Sequence, residues 1–113
     1  MSVKITTRQV GDVTVMDATG RITLGEGAST FRDTIRDLAG KGDKKILLNL
    51  SDVTYIDSSG IGELVSGFTT VTNHGGVLKL LGLNKRVKDL LQITKLYTVF
   101  EVFDDESTAI RSF

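Results

Sequence analysis

Two periods alternate along the chain. Residues 3–7 and 13–19 form short β-rich stretches with partial two-residue alternation, and Val10-Gly11-Asp12 between them has the composition of a turn. Together they predict an antiparallel hairpin. After Gly20 the period lengthens: Ala28, Phe31, Ile35 and Leu38 recur at helical spacing, with Arg32, Asp33, Arg36 and Asp37 between them and Gly40 and Gly42 as terminators. Residues 45–50 are then a nearly continuous apolar run, as expected of a central strand covered on both faces. The extended path continues over 53–56 until Asp57-Ser58-Ser59-Gly60 interrupts it, and Ile61, Leu64, Val65, Phe68 and Val71 mark one face of a second helix. Asn73-His74-Gly75-Gly76 ends that helix, and 77–81 reads as another inner strand. Asn84 is placed to cap a third helix carrying Val87, Leu90 and Leu91. Residues 98–103 alternate as a final strand, and Asp104-Asp105-Glu106 opens a short terminal helix through Ile110.

The order β-β-α-β-α-β-α-β-α predicts an α/β fold. Its sheet is mixed, an N-terminal antiparallel hairpin followed by parallel pairing through β-α alternation, with helices packed against it. The chain has 113 residues, no internal repeat, no low-complexity segment and no proline, so one domain over 1–113 is expected. Fourteen basic residues balance fourteen acidic ones, which leaves no global field to draw in nucleic acid or anionic lipid. The absence of cysteine removes disulfides, thiolate catalysis and the usual zinc frameworks, and favours a reducing cytoplasm. No apolar run approaches the roughly 20 residues needed to span a bilayer, and the first residues lack the build of a signal peptide. No cofactor or metal is expected.

The crevice of an open α/β sheet tends to lie at the carboxyl ends of its strands, which singles out Asp57-Ser58-Ser59-Gly60. The start of the following helix would accommodate a phosphate on Ser58 or Ser59. One serine alone suffices as a helix cap, leaving the other hydroxyl available, and Gly60 offers no side chain to obstruct another protein. Asp57 is suited to orient the neighbouring hydroxyl or accept its proton during phosphoryl transfer and, compatibly with that, to complement the helix start. Other chemistries fit less well. A nucleophile elbow needs glycine where Ile56 stands, and His74, the only histidine, lies in a helix-ending context. Gly60-Ile61-Gly62 lacks the third glycine of a dinucleotide fingerprint, and no Walker lysine follows a glycine loop. Gly62 reads as a site of close helix packing, and Gly25-Glu26-Gly27 as a flexible lead into the first helix. Lys85, Arg86 and Lys88 make the third helix start basic, either as a solvated face or as a contact for a phosphate or an acidic partner.

With the strand at 46–50, the run from Val53 through Asp57-Ser58-Ser59-Gly60-Ile61-Gly62, and the segments His74-Gly75-Gly76, 77–81 and 87–96, the chain resembles the bacterial anti-sigma factor antagonists of the STAS domain family. The resemblance implies a partner switch. The unphosphorylated form would bind an anti-sigma factor that is also a serine kinase of the histidine-kinase-like ATPase type, and so free a sigma factor; phosphorylation of Ser58 would end that binding, and a metal-dependent serine/threonine phosphatase would restore it. ATP and magnesium would belong to the kinase. The partner-binding set it implies is Asp57, Ser58, Ser59, Gly60 and Ile61, with Arg21 and Thr23. Many members carry Gly-Glu-Leu-Asp after the second strand, whereas this chain has Gly20-Arg21-Ile22-Thr23, which leaves open a different kinase or a lost phosphorylation. The alternative is a constitutive binding module of the same fold, for example in a lipid-transport complex, without a phospho-switch.

Overall fold

In a computed structural model of the chain, which describes residues 3–113, five strands form one mixed sheet in the order β1-β2-β3-β4-β5. β1 (Val3–Val10) and β2 (Val13–Ile22) pair antiparallel around the two-residue turn Gly11-Asp12. β2 then runs parallel to β3 (Lys45–Ile56), β3 to β4 (Val77–Leu81), and β4 to β5 (Val102–Phe103). One helix makes each parallel step: α1 (Glu26–Gly40), α2 (Ser58–Asn73) and α3 (Lys85–Ile93). α4 (Glu106–Arg111) follows β5. The hairpin, the parallel alternation and the central position of β3 are those the periodicity predicts.

Successive strand side chains point to opposite faces, so the inner strands divide their apolar residues between two cores. Met16, Ile46, Leu48, Leu50 and Leu80 meet Phe31 and Ile35 of α1, Ile61 and Leu64 of α2, and Val87 and Leu91 of α3. On the other face Val13, Val15, Leu47 and Leu81 meet Ala109 of α4, flanked by Ile110 and Phe113. The continuous apolar run of β3 follows from this: Ile46 and Leu48 serve one core and Leu47 the other. Each fully buried side chain of this size contributes about 1.5–3 kcal/mol.

Two expectations are corrected. The final strand is two residues long rather than 98–103, because Val99 donates to the Leu96 carbonyl in a turn (3.0 Å) that carries Phe100 onto α2. Phe100 there packs edge-on against Phe68, with ring centroids 5.5 Å apart. The alternation was real, but packing against a helix satisfied it. The close α1–α2 approach falls at Gly67, where an added Cβ would come within 2.6 Å of Ile35 Cδ1; at Gly62 it would meet nothing within 4 Å.

Candidate functional site

β3 ends at Ile56 and α2 begins at Ser58, so a single residue, Asp57, makes the junction. Its backbone is extended and its carboxylate caps the helix: Oδ1 accepts from the Gly60 N–H at 2.9 Å. Oδ2 accepts from the Leu24 N–H at 3.0 Å, which ties the loop between β2 and α1 to the same point. The Asp57 N–H donates to the Ile22 carbonyl at 3.3 Å. These contacts hold the Asp57 carboxyl below the usual carboxylate range, the Leu24 N–H being the largest cause, followed by the Gly60 and Ser59 N–H groups.

Neither serine is the cap, which corrects the expectation that one of them would be. Ser58 and Ser59 occupy the first two helical positions, Ser58 exposed and Ser59 half-buried. Asp57 has filled the capping role, so the Ser58 hydroxyl is surplus to the fold. Asp57 in turn is poorly suited to accept a proton, because both its oxygens already accept backbone N–H groups and its acidity is increased. Its chemistry is placement of the turn.

Gly60 also changes meaning. An added Cβ would lie 2.3 Å from the Ile22 carbonyl oxygen and 2.6 Å from Ile56 Cγ2. The missing side chain makes room for the chain's own β2, not for an approaching protein. Ile61 is only 5% exposed and joins the main core, so its side chain supports the turn from beneath rather than facing a partner. Arg21 is exposed at the end of β2, in register with Tyr55 of β3, and Thr23 is half-buried with its carbonyl accepting from Ala28 at 2.9 Å. Asp57, Ser58, Ser59, Arg21 and Thr23 therefore gather at one end of the sheet.

Three neighbours escaped the sequence reading. Leu24 is 79% exposed although its N–H is pinned to Asp57. Ile93 is 77% exposed at the end of α3. Tyr55 lies beneath two guanidinium groups, Arg21 at 4.9 Å and Arg86 at 5.2 Å from the ring centroid. Tyr55, Ser58, Arg86, Leu90 and Ile93 line a groove of about 780 Å³. An apolar residue in a polar loop was the one available signal for Leu24; the approach of α3 to β3 had none.

A serine hydrolase site is not assembled. His74 caps the far end of α2 and its Nδ1 lies 2.8 Å from the Thr70 carbonyl. At about 1.5 Å per residue the helix separates it from Ser58 by about 24 Å. Among the described residues no cluster of His, Asp or Glu is arranged to hold a metal ion, and no helix is long and apolar enough to cross a membrane.

The fold and the turn define a small α/β domain that presents a serine at a helix start beside an exposed groove. The chain belongs to the STAS domain family, whose sequence model matches residues 4–109. It is 35% identical over 102 residues to a candidate anti-sigma factor antagonist of Thermotoga neapolitana, covering 89% of each chain. It is 36% identical over 75 residues to the anti-sigma-B factor antagonist of Bacillus subtilis, covering 66% of this chain and 68% of that one. The crystal structure of a candidate anti-sigma factor antagonist from Thermotoga maritima superposes with a TM-score of 0.88 at 29% identity, over 96% of this chain and 92% of that one.

Proposed function

We propose that this protein is an anti-sigma factor antagonist whose partner binding is switched by phosphorylation of Ser58. The observation that carries the reading is the division of labour at the turn: Asp57 caps α2, leaving Ser58 exposed with no structural task. In the unphosphorylated state the end of the sheet around Ser58, with Arg21, Thr23 and Leu24, docks an anti-sigma factor and displaces its sigma factor. That partner is a serine kinase of the histidine-kinase-like ATPase type. It transfers the γ-phosphoryl group of ATP to Ser58 Oγ, with ADP leaving and the hydroxyl proton passing to solvent or to a base on the kinase. A serine/threonine phosphatase hydrolyses the ester. The cycle belongs in the cytoplasm, where the transcription machinery lies.

The electrostatics suit such a switch. Phosphate brings about −1.5 to −2 charges to a surface that must be desolvated against a partner, next to the ionised Asp57. The first turn of α2 tolerates that charge, since a helix N-terminus favours anions, so the modified protein keeps its fold while losing its partner. A loss of about 4 kcal/mol at the interface corresponds to nearly a thousandfold in affinity.

Incubation with the anti-sigma kinase and Mg-ATP, followed by peptide mass spectrometry, is expected to place one phosphate on Ser58. Ser58→Ala should block it and still bind the anti-sigma factor, whereas Ser58→Asp should bind weakly while melting like wild type. Phosphate found only elsewhere would falsify the assignment.

A further inference from the structure

The basic start of α3 has one side chain that the fold leaves without an acid. Of its three cations, Lys85 pairs with Asp89 at 3.2 Å and Lys88 with Asp104 at 3.9 Å, whereas Arg86 has no carboxylate within ion-pair distance among the described residues. Arg86 is exposed, and its guanidinium lies 5.2 Å from the centroid of the Tyr55 ring. Contact with an aromatic face steadies a guanidinium without using its N–H donors. Tyr55 stands three residues before Ser58, and Tyr55, Ser58 and Arg86 line the same groove. The charges of that groove balance, with Asp57 and Asp89 against Lys85 and Arg86. Three of the four are committed: Asp57 to the Leu24 and Gly60 N–H groups, Asp89 and Lys85 to each other. Arg21 reaches the Tyr55 ring from β2 at 4.9 Å but does not line the groove.

We infer that Arg86 receives the phosphate of phosphorylated Ser58 in cis, across the groove, so that the modified protein holds its own phosphate against α3. The inference rests on the Ser58 reading and adds a residue to it. A phosphoserine brings three acceptor oxygens and about −1.5 to −2 charges into a groove whose existing charges cancel, and Arg86 is the lining cation left to answer them. A guanidinium suits the task better than an ammonium, because its fork of N–H donors matches two phosphate oxygens at once. Lys85 would first have to give up Asp89, and Lys88 is paired outside the groove. The consequence for the switch is positional. A phosphate paired in cis stays at the groove instead of turning freely in solvent, so it covers that surface against a partner and occupies the one lining guanidinium as well.

The test uses the full chain with phosphoserine incorporated at position 58 during synthesis, so that no kinase is needed, and follows the phosphate by phosphorus NMR through a pH titration. An opposite charge at contact favours the dianion, so the second pKa of the phosphate should lie below its ordinary value of about 6. Arg86→Gln is expected to raise it by about one pH unit, and Arg86→Lys to give an intermediate value. Lys88→Gln removes a charge from the same helix outside the groove and should leave the pKa where it is. In the unsubstituted chain the Arg86 Nε–H resonance should shift when position 58 carries phosphate. Arg86 is exposed, so the unphosphorylated Arg86 variants should melt with wild type. Either an unchanged pKa in Arg86→Gln or an unmoved Arg86 resonance overturns the pairing and leaves the switch reading standing. A rise of equal size in Lys88→Gln or Arg21→Gln would reduce the effect to the general field of this end of the molecule and overturn it as well. Failure of the switch reading shows separately, as the absence of phosphate on Ser58 after incubation with the kinase.

Discussion

Asp57 spends each polar atom on a different part of the turn. One carboxylate oxygen caps α2, the other holds Leu24, and the backbone N–H reaches Ile22. Asp57→Ala removes the cap and frees the β2–α1 loop together, so it should cost about 0.5–2 kcal/mol in a urea titration. It should also speed amide exchange at Leu24 and Gly60. Because the folded-state pKa is depressed, the contribution of the ionised carboxylate is complete above the ordinary value of about 3.9 and is lost as pH falls through the lower folded value. The stability gap between wild type and Asp57→Ala should therefore be constant above about pH 5 and narrow only in acid. A gap that narrowed on raising the pH would contradict the assignment of the cap. This residue also limits what sequence can say. A strand-turn-helix junction was legible around Ser58, and so was the suitability of several residues as caps. Which of three adjacent capping residues takes the role depends on where the β2–α1 loop lies, and that is a tertiary fact.

At the scale of the element, α2 has two glycines with opposite meanings only two residues apart. Gly60 sits against β2, and a Cβ there would collide with a backbone carbonyl that also receives the Asp57 N–H. Neither atom can swing aside as a side-chain tip could. Gly62 is helical, exposed and open. Gly60→Ala should destabilise by about 1–3 kcal/mol and reduce Ser58 phosphorylation by displacing the turn. Gly62→Ala should stabilise by about 0.5–1 kcal/mol and leave the turn in place. Matched urea midpoints for the two variants would show that the close approach at Gly60 is absent in solution. Periodicity located α2 because its stripe of Ile61, Leu64 and Val71 faces the core, and it located β3 because both its faces are covered. It overextended β5, since alternation over a few residues cannot distinguish a strand from a turn that delivers one aromatic to a helix. It also gave Gly62 the packing role of Gly67, because which glycine faces α1 depends on how α2 is rotated against it.

The whole molecule separates the Ser58 turn from its second core. The Ser58 turn and the groove lie at the carboxyl end of β3, while α4 covers the opposite sheet face through Ala109, with Ile110 and Phe113 packed alongside. That cover is fastened by a buried cation. Lys79, in the middle of β4 and only 5% exposed, donates to the Ser112 carbonyl at 2.8 Å and contacts Ser112 Oγ at 3.0 Å. It pairs with Glu101 at 3.1 Å, and its ammonium lies 4.8 Å from the Phe113 ring centroid and 5.7 Å from that of Phe103. A lysine inside an apolar strand carried no meaning in the sequence, because its partners lie 22 to 34 residues further along, at the chain's end. Lys79→Ala leaves the Ser112 carbonyl without its donor and opens a gap beside two aromatic rings, a loss of about 1–3 kcal/mol. Lys79→Met keeps the stem against those rings and should recover much of the loss, to within about 1 kcal/mol of wild type. If α4 and the switch are independent, hydrogen exchange in Lys79→Ala should accelerate over 106–111 while Ser58 is phosphorylated at the wild-type rate. If the phosphorylation rate fell in step with α4 protection, the two sheet faces would be coupled through β3 and β4, and the terminal helix would belong to the switch.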